Sequence, residues 1–442
     1  MEDPLSIHRD FPPPGYTAGP SAIPGIEIYK PIVKDPAEGP AVVDFKCPQC
    51  QATTAYSVMD GGLRCAHCGY YEAPAQKTVG KGAEEFEFTV QTMAVQSSAQ
   101  GWGESRKSLR CQSCQAETTL PPGHLTHSCP FCGSNQVLQQ DAGQTSLRPR
   151  FLIPFKVDAE ACKSIADIWL GSSWMTPKSL KSLASVAGFT GIFLPYWTFD
   201  AQSRAEWRAQ VGHQETERYY DAASKSWKSR TKTVWRWESG RVGQTFDDVL
   251  VSGTSSLSHV LLDRVGDFNA AELVPYEPAY LAGFLAQAYD IPLDQTWKTA
   301  RELMREATRI ACRSQASTSQ IRQFSMSLDF RDETWRYILV PVYVANYRFQ
   351  DEVFQVMVNG QTGSISGQRP VDWAKVWLAI SGMLAPGLLL GLLGLLAAAV
   401  GAILPPSLNA SGFGFILAFI LLIIGIIFAV RTFIQAREMD DV

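Results

Sequence analysis

Cys47-Pro48-Gln49-Cys50 is followed, after fourteen residues, by Cys65-Ala66-His67-Cys68-Gly69. The spacing returns downstream as Cys111-Gln112-Ser113-Cys114, fourteen residues, and Cys129-Pro130-Phe131-Cys132-Gly133. After the first pair the two units also continue alike, with Gln51-Ala52-Thr53-Thr54 and Gln115-Ala116-Glu117-Thr118-Thr119. Two residues between cysteines let the chain fold a tight knuckle whose thiolates aim at one ion. Glycine after the second pair permits a positive φ. Two knuckles close a tetrahedral four-thiolate site with no open position, which is the structural rather than the catalytic type. A unit this short cannot bury enough core unaided, so metal binding supplies its folding energy. The expectation is two tandem zinc ribbons and two structural Zn²⁺ per chain. The ligands are Cys47, Cys50, Cys65 and Cys68, then Cys111, Cys114, Cys129 and Cys132. A redox Cys-x-x-Cys needs only one pair. His67, His124 and His127 lie close in sequence and read as surface residues.

Two of the ten cysteines, Cys162 and Cys312, stand outside these pairs and read as small buried apolar residues. Residues 1–30 contain no apolar segment, so the N-terminal part is expected to remain in a reducing cytosol. The net charge of −4 implies neither general nucleic-acid affinity nor an acidic tail.

Around the ribbons the chain divides by composition. Residues 1–44 are rich in Pro, Gly and Ala and read as a flexible tail. The first ribbon takes 45–72, a connector 73–109 and the second ribbon 110–135. The connector's apolar pattern near 82–95 fits a helix or a strand. Residues 147–370 read as a mixed α+β body. Helices are expected at 156–170, capped by Asp158, and at 294–313, with Trp297, Leu303, Met304, Ala307, Ile310 and Ala311 on one apolar face. Strand-like runs fall at 192–208, 231–238, 249–251 and 337–349, and Asn359-Gly360 signals a hairpin. The body shows a weak internal repeat. Leu152-Ile153-Pro154-Phe155 and Leu194-Pro195-Tyr196-Trp197 find counterparts in Leu273-Val274-Pro275-Tyr276 and Val340-Pro341-Val342-Tyr343. A duplicated half-domain or chance accounts for it.

From Val376 to Val430 there is no charged residue. As one helix that stretch would run about 80 Å, against a hydrocarbon core of about 30 Å. Pro405-Pro406 is the evident break, giving a transmembrane hairpin over 376–430 and a tail over 431–442. Arg369 and Lys375 precede the hairpin, Arg431 and Arg437 follow it, and 405–412 holds no Lys or Arg. The positive-inside rule therefore puts both termini in the cytosol. Gly387, Gly391 and Gly394 permit close helix contact, within the chain or in an oligomer.

Residues 204–241 interleave cations with aromatic rings, and the candidate anionic-partner surface is Arg204, Arg208, Lys228, Arg230, Lys232, Trp235, Arg236 and Trp237. The pattern suits single-stranded nucleic acid, an anionic membrane or an acidic protein. The favoured reading is a pair of amphipathic strands with a solvated outer face, which the interspersed Glu206, Glu215, Glu217, Asp221 and Glu238 support. Asp247-Asp248 lies next to a strand, where adjacent side chains point to opposite faces, so the two acids are not expected to converge.

Several segments in order carry a family resemblance: Gly101-Trp102-Gly103, Leu120-Pro121-Pro122-Gly123, Cys129-Pro130-Phe131-Cys132-Gly133, Pro154-Phe155-Lys156, Leu194 to Asp200, Ser239-Gly240-Arg241, and Phe246 to Val251. Together they resemble bacterial zinc-ribbon membrane proteins often labelled primosomal protein N-prime or helicase-like. The chain has no G-x-x-x-x-G-K-[ST] loop, and its one Gly-Lys pair, Gly80-Lys81, lacks the flanking residues of such a loop. The resemblance implies instead a membrane-stress role at the bacterial inner membrane, with phage-shock-type or flotillin-like protein partners. The expected function is a non-enzymatic membrane-anchored scaffold; a nucleic-acid-binding accessory is the second reading.

Overall fold

The computed structural model describes residues 16–19, 28–31, 45–74, 78–88, 107–113, 115–120, 129–131, 137–141, 147, 149–180, 188–223, 225–266, 268–349, 352–401 and 408–440. The chain is mixed α+β. Within the segment expected to be a flexible tail, β1 (Tyr16–Gly19) and β2 (Ile28–Pro31) pair antiparallel. Their Tyr-Thr and Ile-Tyr pairs favour extended backbone over the surrounding Pro and Gly.

The first cysteine unit is a three-stranded antiparallel sheet of β3 (Thr54–Ser57), β4 (Gly62–Cys65) and β5 (Tyr71–Glu72). It is docked on the body. The Tyr56 N–H donates to Ala282 O at 3.0 Å, and the Tyr56 ring rests on Tyr280 and Phe284. The connector contributes a 3₁₀ turn at Gly80–Gly82 and β6 (Phe86–Glu87), so of the stretch expected as helix or strand the described residues hold a strand. The second unit supplies β7 (Lys107–Cys111), β8 (Glu117–Leu120) and β9 (Val137–Asp141). These belong to the body sheet through the pairing of Thr119 with Ala286.

The body is built on a repeated strand–helix–strand–strand unit. The first copy is β10 (Phe151–Leu152), α1 (Ala159–Leu170), β11 (Thr190–Asp221) and β12 (Ser226–Ser252). After α2 (His259–Val265) and β13 (Val274–Pro275) comes the second copy: β14 (Leu285–Ala286), α3 (Leu293–Ser314), β15 (Ile321–Phe349) and β16 (Glu352–Asn359). β11 and β15 lie antiparallel with Leu194 opposite Val340. β14 runs parallel to β11 at Ile192–Phe193, and β10 runs parallel to β15 at Ile338–Leu339. Each short strand thus pairs with the long strand of the other copy. The hydrogen bonds repeat in kind. Gly253 N donates to Pro195 O at 2.8 Å and Gly360 N to Pro341 O at 2.9 Å. The Gly253 carbonyl accepts from Asp290 and Ile291, and the Gly360 carbonyl from Lys156 and Val157. The strand match read from sequence, 194–197 with 340–343, coincides with this two-fold. The counterpart of 152–155 is 286–289 rather than 273–276, because the segment that precedes α3 begins at β14.

The helices follow their apolar faces. Asp158 caps α1, its Oδ1 accepting from the Ala161 N–H at 2.7 Å. In α3 the buried face is Trp297, Ala300, Met304, Thr308 and Cys312, whereas Leu303 and Ile310 are 52% and 61% exposed. The apolar face expected from sequence is thus wider than the buried one. The expected hairpin at Asn359-Gly360 exists between β16 and β17 (Ile365–Gly367), with the left-handed position taken by Gly363 at φ +78°.

Beyond Asp200, β11, β12 and β15 leave the core as a three-stranded arm, whose alternation is strict. Ala201, Ser203, Ala205, Trp207 and Ala209 are buried under α3, while Arg204, Glu206 and Arg208 face outward. Trp207 Nε1 donates to Gln315 Oε1 at 2.8 Å, and Ser203 shares a hydrogen bond with Thr308. Past Val211 only β11 and β12 continue, to a tip where Tyr220 meets Trp227 edge-on.

Two apolar helices, α4 (Trp373–Gly401) and α5 (Leu408–Asp440), finish the chain and pack on each other. Gly425 lies where a Cβ would meet the Met383 carbonyl at 2.6 Å, and Gly387 where it would meet Leu422 at 2.9 Å. Gly394 abuts Phe415, but nothing lies within 4 Å of the Gly391 position, so the glycine stripe read from sequence is interrupted. The segment expected to be a tail continues as the last turns of α5. Ala436 is buried, Phe433 meets Trp373 and Trp377, and Ser173 reaches Met439. Ala429, Phe433 and Ala436 keep the helical i, i+4, i+7 spacing past Arg431 on the face packed against α4, which is why the charge there does not end the helix.

Candidate functional site

Cys47, Cys50, Cys65 and Cys68 converge with their sulfurs within 4.8 Å of one another. Two identical knuckles bring them there. In the first, Cys47 N donates to Ala52 O and Gln51 N to Cys47 O, both at 2.8 Å. In the second, Cys65 N donates to Tyr70 O at 2.9 Å and Gly69 N to Cys65 O at 3.0 Å. Gly69 takes the expected positive φ of 76°, and its counterpart Gln51 takes φ +62°. The closest sulfur pairs are Cys47–Cys68 at 3.4 Å and Cys50–Cys65 at 3.5 Å. A tetrahedral ion with thiolate bonds of about 2.3 Å sets its sulfurs about 3.8 Å apart, so the cluster fits one ion with slight expansion. The backbone N–H groups of Cys68 and His67 hold the Cys65 thiol down at about 6, whereas burial and the neighbouring thiols push Cys50 up to about 12 and the Cys47 thiol raises Cys68. All four positions are filled by protein, so the site can staple the fold but offers no vacancy for a substrate.

In the second unit the first knuckle repeats. Cys111 N donates to Ala116 O at 2.9 Å, and Gln115 has φ +59°. Cys111 and Cys129 are both buried in the core cluster that contains Leu109 and Phe131. Cys114 and Cys132 lie outside the described residues.

The helical hairpin is clamped at its root. Lys375 Nζ donates to Thr176 O at 2.6 Å and Arg369 to Trp169 O at 2.9 Å, with the Arg369 guanidinium over the Trp169 ring. Asp372 N donates to Met175 O at 2.8 Å, and Met175 packs with Val376, Ala429 and Ala436. Helices 373–396 and 415–437 are long and apolar enough to cross a membrane, and their outer faces expose leucine and isoleucine.

The arm separates the candidate anionic-partner residues. Arg204, Arg208, Trp235 and Trp237 share the face away from α3, while Lys228, Arg230, Lys232 and Arg236 lie on the other by their register. Most carry a partner already: Lys228 with Asp221, Arg230 with Glu217 at 3.0 Å and Arg236 with Glu215. The Trp237 ring is covered by Arg208 at 4.3 Å and the Trp235 ring by Arg322 at 4.1 Å. Those rings therefore do not present bare stacking platforms, and the set is two solvated strand faces instead of one patch.

The structure brings together a cluster that the sequence does not reveal. At Asp200 both neighbours of β11 bulge, between Phe199 and Ala201 against β12 and between Asp200 and Gln202 against β15. The bulge places two residues, Asp247 and Asp248, opposite one, with Asp248 at φ +59°. The two adjacent acids therefore converge after all, within 4.8 Å of Asp200. Arg336, 1% exposed, answers them from β15. Its Nη2 lies 2.5 Å from Asp248, 3.0 Å from Glu85 and 3.4 Å from Asp200, and its Nε donates to Thr198 at 3.3 Å. Lys81 pairs with Asp247. Burial and the Glu85 carboxylate push the Asp200 carboxyl up to about 7, and burial also raises Asp248. Because Glu85 and Lys81 belong to the connector, the cluster fastens that segment to the body.

No family model matches the chain, and no solved structure matches it. It is 23% identical over 346 residues to the uncharacterized protein YdjG of Bacillus subtilis (strain 168), an alignment covering 77% of this chain and 94% of that protein.

Proposed function

We propose that the chain is a non-enzymatic adaptor held at the bacterial inner membrane, which recruits cytosolic proteins to it. In this reading α4 and α5 cross the bilayer with both chain termini in the cytosol, as the basic flanks favour. Each cysteine unit holds one structural Zn²⁺, two per chain. The partners belong to the membrane-stress class, scaffold proteins of the phage-shock or flotillin-like type.

The observation that supports the reading best is the clamped root of the helix pair. Lys375, Arg369 and Asp372 bond to the 169–176 segment, and the last turns of α5 pack on Met175. A tether joined to its load by a mobile linker would leave the body free to tumble. This one fixes the orientation of the body to the helices, which suits a platform that presents one surface to partners.

The test expresses the full chain and a variant lacking 373–440, separates membranes from cytosol, and identifies co-purifying proteins. The adaptor reading expects the full chain in the carbonate-resistant membrane fraction with a membrane-remodelling partner, and that partner in the cytosol when the helices are deleted. Equal recruitment of the partner to membranes by the truncated chain would refute it.

A further inference from the structure

Past Val211 the arm narrows to a two-stranded ribbon, because Ile321, opposite Val211, is the last residue of β15 to pair with β11. The ribbon continues to Asp221, where β11 turns into β12. Residues 214–220 and 225–233 are exposed on both faces, so this end has no core in which to bury a side chain. It nevertheless carries three large rings. Tyr219, Tyr220 and Trp227 are 39%, 53% and 72% exposed. The register places Tyr220 and Trp227 on one face, where the rings meet edge-on at 5.6 Å, and Tyr219 on the other, under Arg230 at 5.4 Å. Behind the tip the ribbon is polar, with Thr216, Thr231 and Thr233. Exposed rings gathered at one end mark a contact site.

The charge at this end is positive. Lys228 pairs with Asp221 and Arg230 with Glu217 at 3.0 Å, which leaves Arg218 and Lys225 without an ion pair among the described residues. Lys225 stands in the turn itself at φ +49°, a conformation that glycine adopts without strain. The turn answers one of its own backbone donors, since the Ala223 N–H donates to Asp221 Oδ1 at 3.1 Å.

The connector does not cover this end. It is fixed at Phe88, beside Glu333, and again at Lys107 in β7, which joins the sheet beyond the root of the arm. Stretched straight, residues 89–106 span about 65 Å, so they cannot run out to a tip roughly 65 Å beyond Asp200 and return.

We infer that the arm tip at 219–228 is a membrane-contact site, which seats Tyr219, Tyr220 and Trp227 at the headgroup level of an anionic bilayer. Tyrosine and tryptophan settle at that depth, with the ring in apolar surroundings and the polar end wet. Arg218 and Lys225 meet the lipid phosphates, which draw cations to an anionic surface. Rings on both faces of the ribbon favour this occupant over a protein. A tip entering the headgroup layer end-on is surrounded, whereas a docked protein covers one face and leaves the other wet. The inference goes beyond the adaptor reading and uses no recruited partner, so either can fail alone.

The test places an environment-sensitive naphthyl amino acid at Ala222 of the full chain. The labelled chain is reconstituted into vesicles of phosphatidylcholine alone, or with phosphatidylglycerol at about 7:3. Nitroxide carried on lipid headgroups reads contact as quenching. At least threefold more quenching and a blue-shifted emission are expected in the anionic vesicles. Tyr220→Ser/Trp227→Ser should remove both signals with unchanged circular dichroism. Arg218→Glu/Lys225→Glu should lower the anionic signal to the level in neutral lipid. Equal quenching in the two lipids, or full quenching kept by both double variants, would overturn the inference. So would a blue shift that follows the protein-to-lipid ratio and not the lipid charge, since the tip would then meet a second copy of this chain.

Discussion

The backbone N–H of Asp248 donates to Oδ1 of Asp200 at 2.5 Å, across a bulge that puts Asp248 in the left-handed region. That bond turns the Asp248 side chain to the same guanidinium nitrogen that serves Asp200 and Glu85. Three carboxylates then share an –NH₂ group that has two hydrogens, in a site where Arg336 is 1% exposed and the Asp248 side chain 8%. Burial, and after it the Glu85 carboxylate, raises Asp200.

Asp200 has a folded pKa of about 7, above its unfolded value, so the folded chain holds a proton that the unfolded chain releases. Stability from this group is complete at low pH and is lost as pH climbs from the ordinary carboxylate range through about 7. One such proton gives a slope of at most about 1.4 kcal/mol per pH unit in that window. Urea unfolding at a series of pH values should show the decline in the native chain and a flatter profile in Asp200→Asn. Parallel profiles would assign the proton elsewhere.

Arg336→Met strands three buried or half-buried carboxylates without their cation. A loss of about 3–5 kcal/mol is expected, as for other broken buried pairs, read as a lower urea midpoint. The connector should also become protease-sensitive near Glu85, because its attachment runs through that pair. Arg336→Lys should not restore stability, since one ammonium cannot reach Thr198 and the acids together.

How much of this was open to sequence reading follows from the kind of signal. The ribbon spacing is periodic and local, so the Cys47–Cys68 cluster and the Gly69 turn were legible. The apolar helices were legible from the absence of charge. The acid cluster was not, because a bulge reverses the side-chain alternation on which the reading of Asp247-Asp248 depends, and no residue type marks a bulge. The basic stretch read correctly as amphipathic strands, but which of its cations share a face was not legible. Counting cations along 204–241 ignores parity, and parity across the β11–β12 register sends Arg208 and Arg236 to opposite faces. The apolar face read from sequence takes in Leu303 and Ile310, whereas Ala300 packs in the main core and Thr308 and Cys312 carry the contact with the arm.

The internal two-fold gives a paired prediction. A Cβ at Gly360 would meet the Phe155 ring at 2.4 Å and Pro341 at 3.0 Å, whereas at Gly253 its nearest neighbour is Trp197 Nε1 at 3.1 Å. Both glycines do the same structural task, so the difference isolates the packing. Gly360→Ala should cost about 1–3 kcal/mol and Gly253→Ala distinctly less, by thermal or chemical unfolding. The reverse order would mean that Phe155 moves freely.

The helix pair makes a similar contrast. Gly425→Leu drives a side chain into the Met383 carbonyl and should separate α4 from α5, seen as lost cross-linking between cysteines placed on the two helices. Gly391→Leu meets open space and should leave cross-linking unchanged. Equal effects would show that the helices pair through another face.

The account depends most on four thiolates closing around an ion at the end of the chain that docks through Tyr56. Zinc should therefore be counted by inductively coupled plasma mass spectrometry on full-length protein purified from membranes, beside a Cys47→Ser/Cys65→Ser variant. The account predicts close to two zinc per chain, falling by one in the variant. A native chain with no bound metal, or a variant with the same content as the native chain, would contradict it.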